Sequence, residues 1–398
     1  MTTVPPGIRV HDRVDDLPLD ELAALTGTGA LYDSPDWLRY CEQSAAGGTR
    51  HLTLTDERGR LVGLTSLRIV PDQNVLGLYN LASLIGAQEP TEELARRGLF
   101  PNGVAAVSGA HCVLLTAGDG GPAERSGRRR LLVRAAAGLA EDEGCRTVGF
   151  LYLTDADAVR DVSAVLGAAA GPPFLAAAHT ELTTDWPDFD GYLGTLHRSR
   201  RNKVRRERRE FLGSGLTVRV LHGTDELDET TARLQLAVRK RYSAPGSVES
   251  VLADYDHLGR TVGDRVRVFL CERDGKPVGL SLALLDGDRL HLRLVGFDYD
   301  ATGSDFAYFN LLFYEPIQWG LEHGIRTYSF GTGSYPAKIA RGASPVPAYG
   351  VVRWPAELRE AAAQALAERE AALRERLPQL PPAPFSSASS PFGTGVPS

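Results

Sequence analysis

The sequence predicts an α/β (α+β) chain of two tandem modules, each a mixed sheet flanked by helices, with a cleft between the modules. Three observations predict it. The 398 residues exceed one ordinary domain and suit two of roughly 150 to 200 residues. A strand–turn–strand pattern and a helix–glycine–strand pattern each occur twice, in the same order. Apolar residues make up 43% and charged residues 24%, the balance of a globular chain that can bury a core.

The first repeated unit is Thr55–Leu64, TDERGRLVGL, which returns as Cys271–Leu280, CERDGKPVGL. Gly59 matches Gly275, Val62 matches Val278, Gly63 matches Gly279 and Leu64 matches Leu280. The flanking HLTLT and VRVFL are rich in apolar and β-branched residues, so each copy reads as a hairpin around a glycine turn. The second unit is a helical stretch ending in Gly144 and followed by CRTVGF; it returns ending in Gly324 and followed by IRTYSF. A glycine closing a helix before an apolar run is a helix C-cap leading to a strand. The offset between copies is 216 at the hairpins and 180 at the joints, so the first copy carries about 36 extra residues.

These patterns divide the chain. Residues 1–180 form a first module with an insertion near 72–127, and residues 181–354 a second module opened by a basic helix. Residues 355–377 read as an amphipathic C-terminal helix, and 378–398, rich in Pro, Ser and Gly, as a disordered tail.

Composition removes several function classes. Cys41, Cys112, Cys145 and Cys271 stand singly, and no histidine pair has metal-ligand spacing, so no metal site is expected. No Gly-x-Ser-x-Gly elbow, Walker loop or dinucleotide fingerprint is present, which disfavours hydrolase, NTPase and dehydrogenase chemistry. No apolar run reaches the roughly 18 residues of a membrane span, and the N-terminus does not read as a secretory signal, so a cytoplasmic protein is expected. The net charge of −6 does not favour nucleic acid for the chain as a whole, and DNA is not expected as a partner.

One segment departs from that mean. Arg198–Glu210, RSRRNKVRRERRE, holds eight basic residues against two acidic ones. Arg200, Lys203, Arg205 and Arg206 are its candidate phosphate ligands, through Arg forks and a Lys point charge. A solvated linker helix is the competing reading. The second candidate is FGTGSYPAKIARG, Phe330–Gly342, where a strand runs into a glycine-rich loop. Gly331 and Gly333 allow close backbone approach, and Lys338 and Arg341 add positive charge suited to an anion or a developing oxyanion. Tyr335 is a candidate proton donor and Asp305 a candidate acceptor of an amine proton. Arg293 completes the expected substrate-binding set.

Residues 274–342 resemble the second half of tandem GNAT-fold (acyltransferase-like) proteins. The matching pieces are DGKPVGLSLAL, GFDYDATGSDFAYFNLLFYEPIQWGLEHGI and GTGSYPAKIARGASPVP, with HRSRRNKVRRERREFLGSGL upstream and LYDSPDWLRYCEQ near the N-terminus. The superfamily includes Fem-type aminoacyl-tRNA-dependent transferases, BioF2-like and CelD-like acetyltransferases, and peptidoglycan biosynthesis or recognition proteins. The resemblance implies two GNAT-like modules and an amide-forming acyltransferase without a resident cofactor. Aminoacyl-tRNA is the implied co-substrate, with acyl-CoA as the alternative, and a small-molecule or peptidyl amine the implied acceptor. It also implies that Lys338 matches the family lysine near the reacting acyl group or its phosphates. Neither half shows a convincing Q/R-x-x-G-x-G/A loop for the CoA pyrophosphate, which favours aminoacyl-tRNA. Two rival readings are a CoA-dependent N-acyltransferase on a small molecule or polysaccharide, and a non-catalytic module recognising RNA or a cell-wall precursor. Oligomeric state is not legible.

Overall fold

A computed structural model of the chain describes residues 5–26, 30–43, 48–72, 77–87, 89–241, 246–303, 305–382 and 384. Its strands are β1 (Ile8–His11), β2 (Thr49–Thr55), β3 (Leu61–Val70), β4 (Asn102–Ala105), β5 (Leu114–Thr116), β6 (Thr147–Leu153), β7 (Phe174–Thr183), β8 (Leu216–His222), β9 (Val266–Arg273), β10 (Lys276–Asp286), β11 (Arg289–Phe297), β12 (Thr327–Ser329) and β13 (Ser344–Arg353). Its principal helices are α1 (Leu19–Thr26), α2 (Pro35–Gln43), α3 (Pro122–Asp142), α4 (Ala156–Leu166), α5 (Phe189–Thr195), α6 (Arg198–Leu212), α7 (Glu229–Arg241), α8 (Val248–Val262), α9 (Glu315–Glu322), α10 (Tyr335–Ile339) and α11 (Arg359–Arg376).

The strands form one mixed sheet in the order β1-β2-β3-β4-β6-β13-β7-β12-β11-β10-β9-β8, with β5 paired to β3. Read inward from its two edges, the order repeats: β1-β2-β3-β4-β6 answers β8-β9-β10-β11-β12. Helices α1 and α2 join β1 to β2, as α7 and α8 join β8 to β9. In each half one pair is parallel, β4–β6 and β11–β12, and a helix forms the crossover between its strands. The duplication read from two short echoes is therefore a duplication of topology. Gly59 and Gly275 turn the two matched hairpins at φ +77° and +73°, where a β-carbon would be strained.

Three features differ from the division expected from sequence. The boundary at 180 falls inside β7, which pairs with β12 on one side and β13 on the other. The final strand, β13, lies between β6 and β7, so the second half completes the sheet of the first. The segment 72–127 is also more than an insertion, because its β4 takes the place that β11 holds in the other half. The short helix Leu81–Leu84 packs with Tyr79, Leu151, Tyr152, Phe174 and Trp354 in an apolar cluster.

The C-terminal helix expected over 355–377 occupies Arg359–Arg376, after a turn at Ala356–Leu358. The helix buries Ala362 and Leu366, and the turn Leu358, against that cluster, while Leu377 and Leu380 join the core of the first half. Leu380, within the expected disordered tail, is held by apolar burial; residues 385–398 of that tail lie outside the described residues. No helix among the described residues is long and apolar enough to cross a membrane.

Candidate active site

Parallel pairing of β11 and β12 ends early, at His291 opposite Ser329, and the two chains then splay. On its other side β11 carries a bulge: Leu282 faces Leu294 and Ala283 faces Leu292, leaving Arg293 as the extra residue. A bulge kinks a strand and re-aims its side chain. The opening is a cleft of about 820 Å³ lined by Leu292–Val295 and Ser329–Thr332 of the second half. Tyr32, Tyr40, Arg68, Tyr79 and Ser108–Ala110 line it from the first half, His179 from β7, and Gln235, Arg239 and Asp254 from α7 and α8. In the first half Tyr79, Leu81 and Tyr152 share an apolar cluster with Val104 of β4 and Leu151 of β6, and the Tyr152 hydroxyl donates to the Leu78 carbonyl.

His179 is half-buried on β7, with Nε2 2.9 Å from the Ala110 carbonyl oxygen. A carbonyl only accepts, so Nε2 carries the proton and Nδ1 is the basic nitrogen. Burial holds the imidazole below its ordinary pKa, keeping it neutral. Arg293 Nη2 donates to Ser108 Oγ at 2.8 Å and to the Tyr40 hydroxyl at 3.3 Å, and its guanidinium lies over the Trp37 ring. The Tyr40 hydroxyl donates to Asp254 Oδ1 at 2.8 Å, and burial pushes the phenols of Tyr32 and Tyr40 up to about 12.

Of the residues expected from sequence, Arg293 and Gly331 line this cleft. Lys338 lies behind it. Its ammonium donates to the carbonyls of Phe330, Gly331 and Thr332 at 2.5, 3.2 and 3.0 Å, so it does not face the cleft as the expected charge. Burial lowers its pKa to about 7, while three carbonyl acceptors favour the charged form and oppose that shift. Because the peptides are trans, the N–H groups of Gly331, Thr332 and Gly333 point opposite to those three carbonyls. None of the three donates to another described residue. Gly331 and Gly333 sit at φ +64° and +76°, which this tight loop requires.

The other expected residues are placed elsewhere. Tyr335 packs in the core of the first half, where its hydroxyl oxygen accepts from Ala178 N at 3.4 Å, so it does not reach the cleft. Asp305 is paired with Arg273 at 2.6 Å, away from the cleft lining. Arg341, 2% exposed, is committed to the buried Glu207 at 2.7 Å and to the Tyr314 hydroxyl at 2.8 Å, stacked 3.6 Å from the Phe309 ring centre. That network anchors α6. Val204, Glu207 and Phe211 form its buried face, while Lys203, Arg205 and Arg206 are exposed and Arg200 is half-buried. The helix is thus not basic all round; its inward face carries an acid.

Sequence reading missed His179, Arg68, Asp254 and Glu207. His179 is one polar residue in FLAAAHTELT, and only the pairing of β7 at the centre of the sheet gives it meaning. Glu207 had a signal, its spacing from Val204 and Phe211 at three and four residues.

Two sheet halves, each with one parallel strand pair and joined around an inter-half cleft, make a tandem GNAT fold. The chain belongs to the FemAB-like family of peptidoglycan biosynthesis and recognition, whose model matches residues 115–386. Its fold is similar to that of FemX, at 13% identity and TM-score 0.57, covering 88% of this chain and 98% of that one. It is also similar to a tandem GNAT protein from the clavulanic acid biosynthesis pathway, at 16% identity and TM-score 0.50, covering 87% and 98%. L-PGS from Bacillus licheniformis aligns at 14% identity and TM-score 0.50, covering 88% and 95%. No curated protein sequence matches the chain.

Proposed function

We propose that the chain is an aminoacyltransferase that moves an aminoacyl group from aminoacyl-tRNA to an amine acceptor, forming an amide in cell-wall or natural-product synthesis. The observation that carries this reading is His179, with its basic nitrogen Nδ1, in the same cleft as a loop whose backbone N–H groups have no acceptor among the described residues. The acceptor amine attacks the donor's ester carbonyl, forming the C–N bond. The carbonyl oxygen gathers negative charge and receives the N–H groups of Gly331 and Thr332, which line the cleft. His179 Nδ1 takes the amine proton and returns it to the ribose oxygen as the ester C–O bond breaks. Lys338 is a positioning residue here: by drawing three carbonyls to itself it turns the loop's donors outward.

The donor assignment rests on charge. The exposed basic residues of α6 suit a polyphosphate backbone. The connections from the sheet to the crossover helices, where a GNAT enzyme would hold the CoA pyrophosphate, contain acids: Asp298 caps the short helix Tyr299–Thr302, and Asp119 precedes α3. Asp298 accepts from Asp300 N and Ala301 N at 3.0 Å each, and Arg128 bridges Asp119 and Glu124 across the turn Gly118–Gly121. Such a donor implies a reaction in the cytoplasm.

Transfer from a pool of charged tRNAs, run beside acetyl-CoA with uncharged tRNA as control, tests the reading. Salt-sensitive loss of the aminoacyl group to an amine is expected, and His179→Ala should slow it by about 10²–10⁴-fold. Saturable CoA binding with no response to charged tRNA would replace the donor with an acyl thioester.

A further inference from the structure

Arg68 lies on β3 with only 6% of its surface exposed, and it lines the inter-half cleft. Among the described residues its Nε has no hydrogen-bond partner and no carboxylate pairs with it. Burial lowers its pKa, and the influences opposing that shift come from Cys41 and Tyr79, not from an acid. Its guanidinium lies 5.4 Å from the centre of the Tyr79 ring. The hydroxyl of that ring accepts from Gly109 N and Ala110 N at 3.2 Å each. Ser108, the preceding residue, accepts from Arg293. Two guanidinium groups therefore flank one turn at the cleft wall. Arg293 directs Nη2 to Ser108 and Tyr40, and it pairs with no carboxylate among the described residues. The carboxylate that lines the cleft, Asp254, accepts from Tyr40 instead.

A buried guanidinium without an anion is costly, because no partner offsets its desolvation. A ring face offsets part of that cost. The planar fork is best completed by a group with two or more charged oxygens.

We propose that Arg68 and Arg293 together bind an acidic group, a carboxylate or a phosphate monoester, carried by the small amine acceptor. The acceptor is then an amine that also bears an acid, anchored at the Tyr79 wall with its nitrogen directed toward His179. This assignment rests on the transferase reading of the same cleft. The anion site itself stands on the buried Arg68, whose Nε has no partner among the described residues.

The test is calorimetric titration of the purified chain with glutarate and, separately, with inorganic phosphate. Arg68→Met, Arg293→Met and the exposed control Arg58→Gln are titrated alongside. The expected result is saturable binding of at least one anion, weakened tenfold or more in Arg68→Met and Arg293→Met and unchanged in Arg58→Gln. Which anion binds tells a carboxylate acceptor from a phosphorylated one. Thermal unfolding gives a second readout. Without anion, Arg68→Met should unfold at or above the wild-type temperature, and anion should raise the wild-type midpoint. Absence of binding to either anion overturns the proposal, as does undiminished binding by Arg68→Met. If that variant fails to fold, undiminished binding by Arg293→Met overturns it too. Failure of charged tRNA to donate, with anion binding intact, would sink the donor reading and leave this site standing.

Discussion

Glu207 and Arg341 show how strongly one residue's meaning depends on its neighbours. Both sit almost wholly out of solvent, and Glu207 Oε2 accepts from Arg341 and from the Tyr314 hydroxyl, which in turn accepts from Arg341 Nε. Glu207→Ala would leave a buried guanidinium unpaired and should cost about 3–5 kcal/mol in urea unfolding. The double variant Glu207→Leu with Arg341→Met should recover most of that loss, because an apolar pair of similar size replaces the ion pair. Lys338→Met should destabilise by about 1–3 kcal/mol, since the Phe330 and Thr332 carbonyls lose their donor while that of Gly331 keeps Thr180. In a transfer assay it should lower kcat more than it raises KM, because the loop it shapes acts on the developing charge.

His179 adds a pH prediction at the same scale. Burial, the largest influence, lowers its pKa below 6.5, so the active neutral form is retained until the medium is more acidic than that. The acid limb of kcat/KM should have its midpoint below pH 6.5 and be absent from the residual rate of His179→Ala. The sign for stability is the same. The unfolded chain binds the proton more readily, so this group's contribution is complete above pH 6.5 and is lost as the pH falls through the lower folded value.

Helix α6 is the element whose two faces do different things. Its inward face of Val204, Glu207 and Phe211 fixes the helix to the second half, and its outward face presents Lys203, Arg205 and Arg206. Arg205→Gln with Arg206→Gln should leave thermal unfolding nearly unchanged, because both side chains are exposed and their ion pairs are long, at 3.6 and 3.4 Å. The same pair should weaken tRNA binding and flatten its logarithmic salt dependence by about 0.7 to 0.9 for each phosphate no longer neutralised. A salt slope that did not change would remove this face from the binding surface. Helix α11 is the opposite kind of element, since it seals rather than presents. Glu370 Oε2 accepts from Leu175 N at 2.9 Å, and Leu358, Ala362 and Leu366 fill the cluster around Trp354.

At the scale of the whole molecule the consequence lies in strand order. β13 completes the sheet between β6 and β7, and Tyr335 from the second half of the sequence packs in the core of the first. A fragment ending at 180 would leave β6 and β7 without their shared neighbour and expose that core. Expressed alone it should not fold, and co-expression with residues 181–398 should recover soluble protein. The full chain should unfold in one cooperative transition by fluorescence and circular dichroism together, since neither half closes its own sheet.

By itself the sequence determined what is local and periodic. The two hairpins, the two helix–glycine–strand joints, the basic helix and the glycine loop are each written in a few neighbouring residues, because turns, caps and amphipathic faces depend on short-range sterics and spacing. The same residues established that the design is duplicated and that it resembles the tandem GNAT proteins. Only the tertiary structure decided which charges are free to act. Lys338 and Arg341 looked alike in KIARG, yet one caps three carbonyls and the other pairs with an acid 134 positions away. Arg68 and His179 carried no motif, and both reach the cleft because strand pairing brings β3, β7 and β11 around one opening. A buried charge is defined by what lies beside it in space, and chain order does not record that.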